Sequence, residues 1–242
     1  MKGRRSDIYG GQDPRQLPAY TMAEAARCLN LAPATLRSWV AGREYPRGDE
    51  VAFFEPLIQR PDSSSAQLSF WNLVEAHVLR ALRVKHSVSI KAVRHALDFA
   101  QRKFKMERLL LRRELRTEAG DLFLCKYGEL IDLSKSGQLA MKMMLQDHLE
   151  RVDWGDEKWP IRLYPSSRPF PVPDKVPPLR AFKLIVIDPH ISFGRPVIQR
   201  RGITTTVIAD RIDAGESIQD LAEDYDLEPW EIRGAVIYEK AA

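Results

Sequence analysis

The stretch Tyr20–Trp39, YTMAEAARCLNLAPATLRSW, decides how this chain folds. Thr21 followed three residues later by Glu24 forms a capping box, in which each side chain satisfies a free amide at a helix start. Met22, Ala25, Ala26 and Leu29 then fall at i, i+3, i+4 and i+7, one buried helical stripe. Asn30 tolerates the left-handed backbone that ends a helix, and Leu31 plugs the corner. Pro33 stands where a second helix begins, a position that needs no amide donor. Ala32 brings no capping oxygen to that start, so the cap is poor. The second helix turns Leu36 and Val40 inward and leaves Thr35, Arg37 and Ser38 to face a partner. Two short helices joined by a tight turn suit a DNA major groove. The plainer alternative is a helical hairpin that only builds a core.

The following sequence favours the groove-binding reading. Residues Arg43–Ser69 are rich in Pro, Ser and Arg, with Val51, Phe53 and Phe54 as a strand and Gln67–Phe70 as its expected return. A two-stranded wing of this kind lies against the phosphate backbone, where Arg43, Arg47 and Arg60 are suitable contacts. A solvated loop with idle arginines is the alternative. A third helix opens at Ser69, with Trp71 near its start and Leu73, Ala76, Val78, Leu79 and Leu82 on a broad apolar face. A fourth spans Ser87–Phe104, with Ile90, Val93, Leu97 and Ala100 at helical spacing. This order over Leu17–Phe104 resembles the MerR-like winged helix-turn-helix. The resemblance implies a DNA-binding domain over residues 17–104. Proteins of this kind read paired half-sites, so a homodimer is expected.

At 242 residues the chain is long enough for one large domain or two small ones. Its net charge of +4 is unevenly spread. Residues 1–119 hold 21 Lys and Arg against 13 Asp and Glu; residues 120–183 hold 10 against 9; residues 184–242 hold 6 against 11. A basic front is the footprint of a phosphate-binding surface, and an acidic tail opposes nucleic acid. The apolar runs are shorter than a membrane span, and the opening MKGRRSDIYGGQD lacks the apolar core of a signal peptide. Cys28 and Cys125 stand far apart, which excludes a disulfide framework and points to the cytoplasm.

The middle, residues 105–164, is expected to mix α and β. Leu122–Cys125 reads as a strand, Tyr127-Gly128 as a turn, and Leu130, Ile131 and Leu133 as the return. Gln138–Val152 reads as a helix with Leu139, Met143, Leu145 and Leu149 apolar; its methionines are core filler. Pro160–Pro165 and Phe182–Ile187 are expected to be extended. Between them PSSRPFPVPDKVPPLR, Pro165–Arg180, has the composition of a semi-rigid linker, placed at residues 165–183. The tail, 184–242, reads as a small helical domain. Ala214-Gly215 ends one helix, Ser217 and Asp220 cap the next, and Pro229 starts the last.

The tail resembles the small domain of VapB-like antitoxins. The matching features are Ile187-Asp188-Pro189, Phe193-Gly194-Arg195-Pro196-Val197-Ile198, Gly202-Ile203, Ala214-Gly215, Asp224-Tyr225, Pro229, Ile232 and Tyr238. Arg200-Arg201 and Glu228 depart from the usual pattern. With the front domain, the resemblance implies the antitoxin of a type II pair, binding operator DNA and neutralising a PIN-domain ribonuclease toxin. Such antitoxins block the toxin's carboxylates with an extended segment carrying an arginine. That implies the connector here, with Arg168, Lys175 and Arg180, or else the connector is a plain spacer. The fold class is thus mainly α with small β elements: a winged helix-turn-helix, a mixed middle segment and a small helical tail domain. A stand-alone MerR-like transcription regulator with a ligand- or partner-sensing C-terminal part is the alternative function. An enzyme is the third choice: there is no phosphate loop, no HExxH and no serine elbow. The acidic residues Asp220, Glu223, Asp224, Glu228 and Glu231 read as a solvated face, so no cofactor or metal is expected.

Overall fold

The computed structural model describes residues 9–48, 50–83, 90–130, 134–165 and 170–240. Helix α1 (Met22–Cys28) starts with the capping box in place: Glu24 N donates to Thr21 Oγ at 3.2 Å and Thr21 N to the Glu24 carboxylate at 2.8 Å. Asn30 adopts φ 49°, which lets Leu31 N reach back to Ala26 O at 2.9 Å and closes the helix. Helix α2 (Pro33–Val40) begins at Pro33 with no side-chain cap from Ala32 and buries Leu36, Trp39 and Val40.

Strands β1 (Arg43–Arg47) and β2 (Glu50–Phe54) form an antiparallel wing, Arg43 opposite Phe54. The expected return strand at Gln67–Phe70 is therefore corrected. Gly48, at φ 64°, turns the chain so that β2 pairs backwards with β1. Leu68 instead makes an isolated bridge with Tyr20, and Phe70 opens α3 (Phe70–Arg83).

Helix α3 is the axis of the first core, buried without interruption from Phe70 to Leu79. Helix α4 (Ile90–Phe104) follows; residues 84–89, which include the turn expected between the two helices and the start of the fourth at Ser87, lie outside the described residues. After two 3-10 turns comes α5 (Glu118–Leu130), which overturns the strand expected at Leu122–Cys125. Ala119, Phe123 and Tyr127 recur every fourth residue and are all buried, so the apolar run serves a helix packed on α4. Gly128 lies inside that helix against the Gln138 side chain and makes no turn. Leu130 closes α5, while Ile131 and Leu133 of the expected return lie outside the described residues. Helix α6 (Lys135–Leu149) packs on α3, and a hairpin of β3 (Val152–Trp154) and β4 (Pro160–Leu163) finishes this unit.

The connector is more structured than its prolines imply. Helix α7 (Pro178–Phe182) interrupts it, and Val176 is buried among tail residues. The tail pairs β5 (Ile185–Val186), β6 (Val197–Ile198) and β7 (Ile203–Thr204) in sequence order, antiparallel. Helices α8 (Thr205–Asp213), α9 (Ile218–Asp224) and α10 (Pro229–Lys240) enclose a second core around Ile208, Leu221, Trp230 and Ile232. Ser217 and Asp220 form the expected capping box, and Gly215 ends α8 at φ 98°.

The two units meet at α1. Tyr238 Oη donates to Cys28 O at 3.2 Å, Arg27 pairs with Glu239 at 2.7 Å, and Arg195 pairs with Glu24 at 2.6 Å. Burial at this seam pushes the Cys28 thiol up to about 11.

His77 lies wholly inside the first core. Its Nε2 donates to His148 O at 3.0 Å, and its Nδ1 has no partner. Burial, with His148, Arg151 and Arg80 nearby, pushes its pKa down to about 3, and burial also lowers that of His148. The His77 imidazole is neutral when folded but takes a proton once unfolded below about pH 6.5. Stability is therefore full above that pH and falls below it, by about 1.4 kcal/mol per pH unit for His77 alone. Urea melts between pH 7 and pH 5 should show this decline, and His77→Leu should flatten it; an unchanged slope in that variant would assign the decline elsewhere.

Candidate nucleic-acid interface

Helix α2 and the wing are built as one piece. The carbonyl of Trp39, in the last turn of α2, accepts from Leu57 N at 2.7 Å and Ile58 N at 3.0 Å, so the chain leaving the wing is tied to the helix. Between them Gly42 takes φ 72°, and a Cβ there would strike the Phe54 carbonyl oxygen and lie 2.6 Å from the Phe53 ring. Arg94 on α4 donates to Glu55 O and to Pro56 O, the latter at 3.1 Å. Helix, wing and α4 thus share three points of attachment.

The expected contacts fall into different roles. Arg37 is exposed on α2; Thr35 beside it is half-buried, and Ser38 donates its hydroxyl to Thr35 O at 2.8 Å. Arg43 is exposed on β1, its guanidinium 5.7 Å from the Phe54 ring centre. Arg47 ends β1; its side chain lies outside the described residues. Arg60 is not on the wing: it bonds Ser65 O at 2.6 Å and braces the loop before α3. Trp39, Gly42 and Arg94, which fix this frame, were not among the expected residues. Gly42 directly after a helix was the available signal; nothing in the sequence marked Arg94.

Charge is distributed differently from the geometry. Residues 17–60, which contain the helix pair and wing, hold five basic and five acidic side chains. Residues 83–116 hold eleven basic against three acidic. Part of this excess, Arg94, Arg102 and Lys105, lines a cleft of about 690 Å³ that also includes Leu57 and Gln59, just beyond the wing. Glu75 lies in the same wall, fully buried. Its burial raises its pKa, opposed by Arg108, which pairs with it at 2.8 Å.

The connector residues are equally distinct. Arg168 lies outside the described residues, and Lys175 is exposed. Arg180 is engaged within the tail, pairing with Glu228 at 2.9 Å and Glu231 at 3.3 Å, with its guanidinium 5.3 Å from the Trp230 ring centre. The α9–α10 pair has the outline of a second helix-turn-helix, yet α10 buries Trp230, Glu231, Ile232, Gly234, Ala235 and Tyr238. Phe170 stacks on Trp230 with ring centres 6.5 Å apart, so the connector covers the helix that would read DNA. The tail carboxylates are tied to arginines and caps: Asp224 to Arg211 at 2.6 Å, Glu231 also to Arg200 at 3.1 Å, and Asp220 to Ser217. Among the described residues no group of three or more His, Cys, Asp or Glu side chains is placed to hold a metal ion. No helix among them is long and apolar enough to cross a membrane.

Residues 18–97 match the family described as "Putative DNA-binding HTH domain", and residues 185–238 match "Protein of unknown function (DUF433)". The protein named "Putative antitoxin VapB45" of Mycobacterium tuberculosis (strain ATCC 25618 / H37Rv) is 28% identical, over 91% of this chain and 93% of its own. "Uncharacterized protein Rv2308" of the same organism is 27% identical, over 91% of this chain and 90% of its own. The crystal structure of Rv2018 from Mycobacterium tuberculosis aligns with a TM-score of 0.64 at 23% identity, covering 91% of this chain and 98% of that one; at that identity the likeness concerns fold. The chain therefore joins a front region that matches a putative DNA-binding helix-turn-helix domain to a tail that matches DUF433.

Gly42→Ala tests the frame. The added methyl meets backbone rather than a flexible side chain, and the positive φ disfavours alanine. We expect a loss of roughly 1–3 kcal/mol in denaturant melts together with weakened DNA binding. Unchanged melting and binding would show that wing and helix are not locked.

Proposed function

We propose that this chain is the antitoxin of a type II toxin–antitoxin pair, holding operator DNA with its front domain and neutralising a PIN-domain ribonuclease. The observation that carries the reading is the extent of the likeness to the VapB45 relative: it spans both domains and the connector, beyond the helix-turn-helix that many regulators share. The locked frame of α2 and wing supports the DNA half. In this reading Thr35 and Ser38 contact base edges and Arg37 and Arg43 contact phosphate; Arg47, at the end of β1, is a further candidate phosphate contact, and Arg60 acts only through the loop it braces. The basic run 83–116 adds long-range attraction. A homodimer would bind two half-sites. On the toxin side, Arg168 and Lys175 are the connector's contacts, and Arg180 holds the connector to the tail.

A stand-alone regulator is the second reading. The cleft beside Arg94 and Arg108 favours it, because its volume lies within the roughly 300–1,000 Å³ range of small-molecule sites.

The deciding experiment is co-expression with the neighbouring reading frame. If that frame encodes a PIN-type ribonuclease, its growth arrest should be relieved by this chain and the two should purify together. Continued arrest would remove the antitoxin reading. On DNA, log affinity should fall linearly with log salt as counterions are released. Arg37→Ala should weaken all sequences alike, and Thr35→Ala should change preference among them by about 1–3 kcal/mol at one base pair. Affinity that is flat in salt would rule out the phosphate contacts.

A further inference from the structure

We propose that the groove at the seam of the two domains docks a segment of the partner ribonuclease presenting an apolar side chain beside a carboxylate. The inference rests on the antitoxin reading and adds to it a surface away from the connector.

The groove encloses about 220 Å³ between Leu17, Pro18 and Tyr20 on one side and Pro189, Phe193 and Arg195 on the other. That is below the range of small-molecule pockets and suits one large side chain. Its outer wall has an unusual backbone. Ser192, Phe193 and Gly194 take φ values of 47°, 53° and 77° in succession. For the first two residues this left-handed conformation is unfavourable and must be imposed by the surroundings. The restraints are present: Gly194 N donates to Ile191 O at 2.9 Å, Arg195 N to Ser192 O at 3.0 Å, and Tyr20 Oη to Gly194 O at 2.8 Å.

The strained turn projects a phenylalanine into water. Phe193 is 69% exposed, so core packing does not account for it. Tyr9 meets its ring edge-on at 6.3 Å and that of His190 at 6.5 Å, making a firm aromatic rim. A rigid, exposed aromatic over an apolar recess is the usual anchor of a protein interface. Charge indicates the class of partner. The Arg195 side chain is 54% exposed, and Glu24 takes one of its donors at 2.6 Å. A guanidinium carries five, so a second carboxylate can be accepted. A recess of one side chain's size beside a single exposed guanidinium suits a protein segment that carries one apolar side chain and one carboxylate.

The test uses the full chain and a catalytically inactive form of the ribonuclease encoded beside it, titrated by calorimetry. Phe193→Ala should weaken binding at least tenfold, Phe193→Leu should stay within about threefold, and Arg195→Gln should reduce the salt dependence. Phe193→Gly, which relieves the backbone, should melt no lower than the unaltered chain yet bind as weakly as the alanine variant. DNA affinity should not change in any of them. Undiminished ribonuclease binding by Phe193→Ala and Phe193→Gly overturns this inference and leaves the antitoxin reading standing. Loss of self-association or of DNA binding, with ribonuclease binding intact, assigns the groove to another occupant and overturns it too. If the unaltered chain does not bind the ribonuclease, the antitoxin reading falls, and this inference with it.

Discussion

Tyr20 joins three parts of the chain through two kinds of bond. Its backbone exchanges hydrogen bonds with Leu68, at 2.8 and 3.0 Å, which brings the start of the helix pair against the entrance to α3. Its hydroxyl crosses to the tail at Gly194, and its ring is buried between them. A buried phenol needs an acceptor, and here the acceptor belongs to the other domain. Tyr20 thus takes part in the placement of α1, the path into α3 and the docking of the tail, the last shared with the α1 contacts of Tyr238, Glu239 and Arg195. Gly194 must stay glycine for the same reason, since a Cβ there would collide with the Tyr20 hydroxyl.

The distribution of charge separates recognition from attraction. The helix pair and wing are balanced, so under the proposed role contacts there would depend on shape and individual hydrogen bonds. The basic excess sits on α4 and the turns after it, some of it held against aromatic rings, as Arg112 is over Trp159 at 3.8 Å. Arginines stacked in this way are partly used for packing, and only the remainder acts at a distance. A sum over the front half gives the correct sign but does not locate it.

Local rules with short reach were legible in the sequence. Both capping boxes, the positive φ at Asn30 and Gly215, and the proline starts of α2 and α10 follow from residues within one turn of each other. Errors arose where a pattern had to be followed further. Leu122–Cys125 alone is indistinguishable from a buried strand; only with Ala119 and Tyr127 does the four-residue spacing of α5 emerge. The wing was half legible, because β2 was found but its partner depended on Gly48. The connector's prolines concealed Val176 and Phe170, whose burial is decided by a tail core far along the chain. Arg180 looked free for the same reason, as its acidic partners lie about fifty residues away.

The attachment of the wing to Trp39 and Gly42 gives the front domain a fixed span. A reading helix and a wing that cannot move independently act as a caliper. Duplex whose groove already has the matching width is accepted without distortion, while stiffer or wider sequences must be deformed to fit. Under the proposed DNA-binding role, such a head would distinguish duplexes by their mechanics as well as their bases, even at positions that no side chain touches.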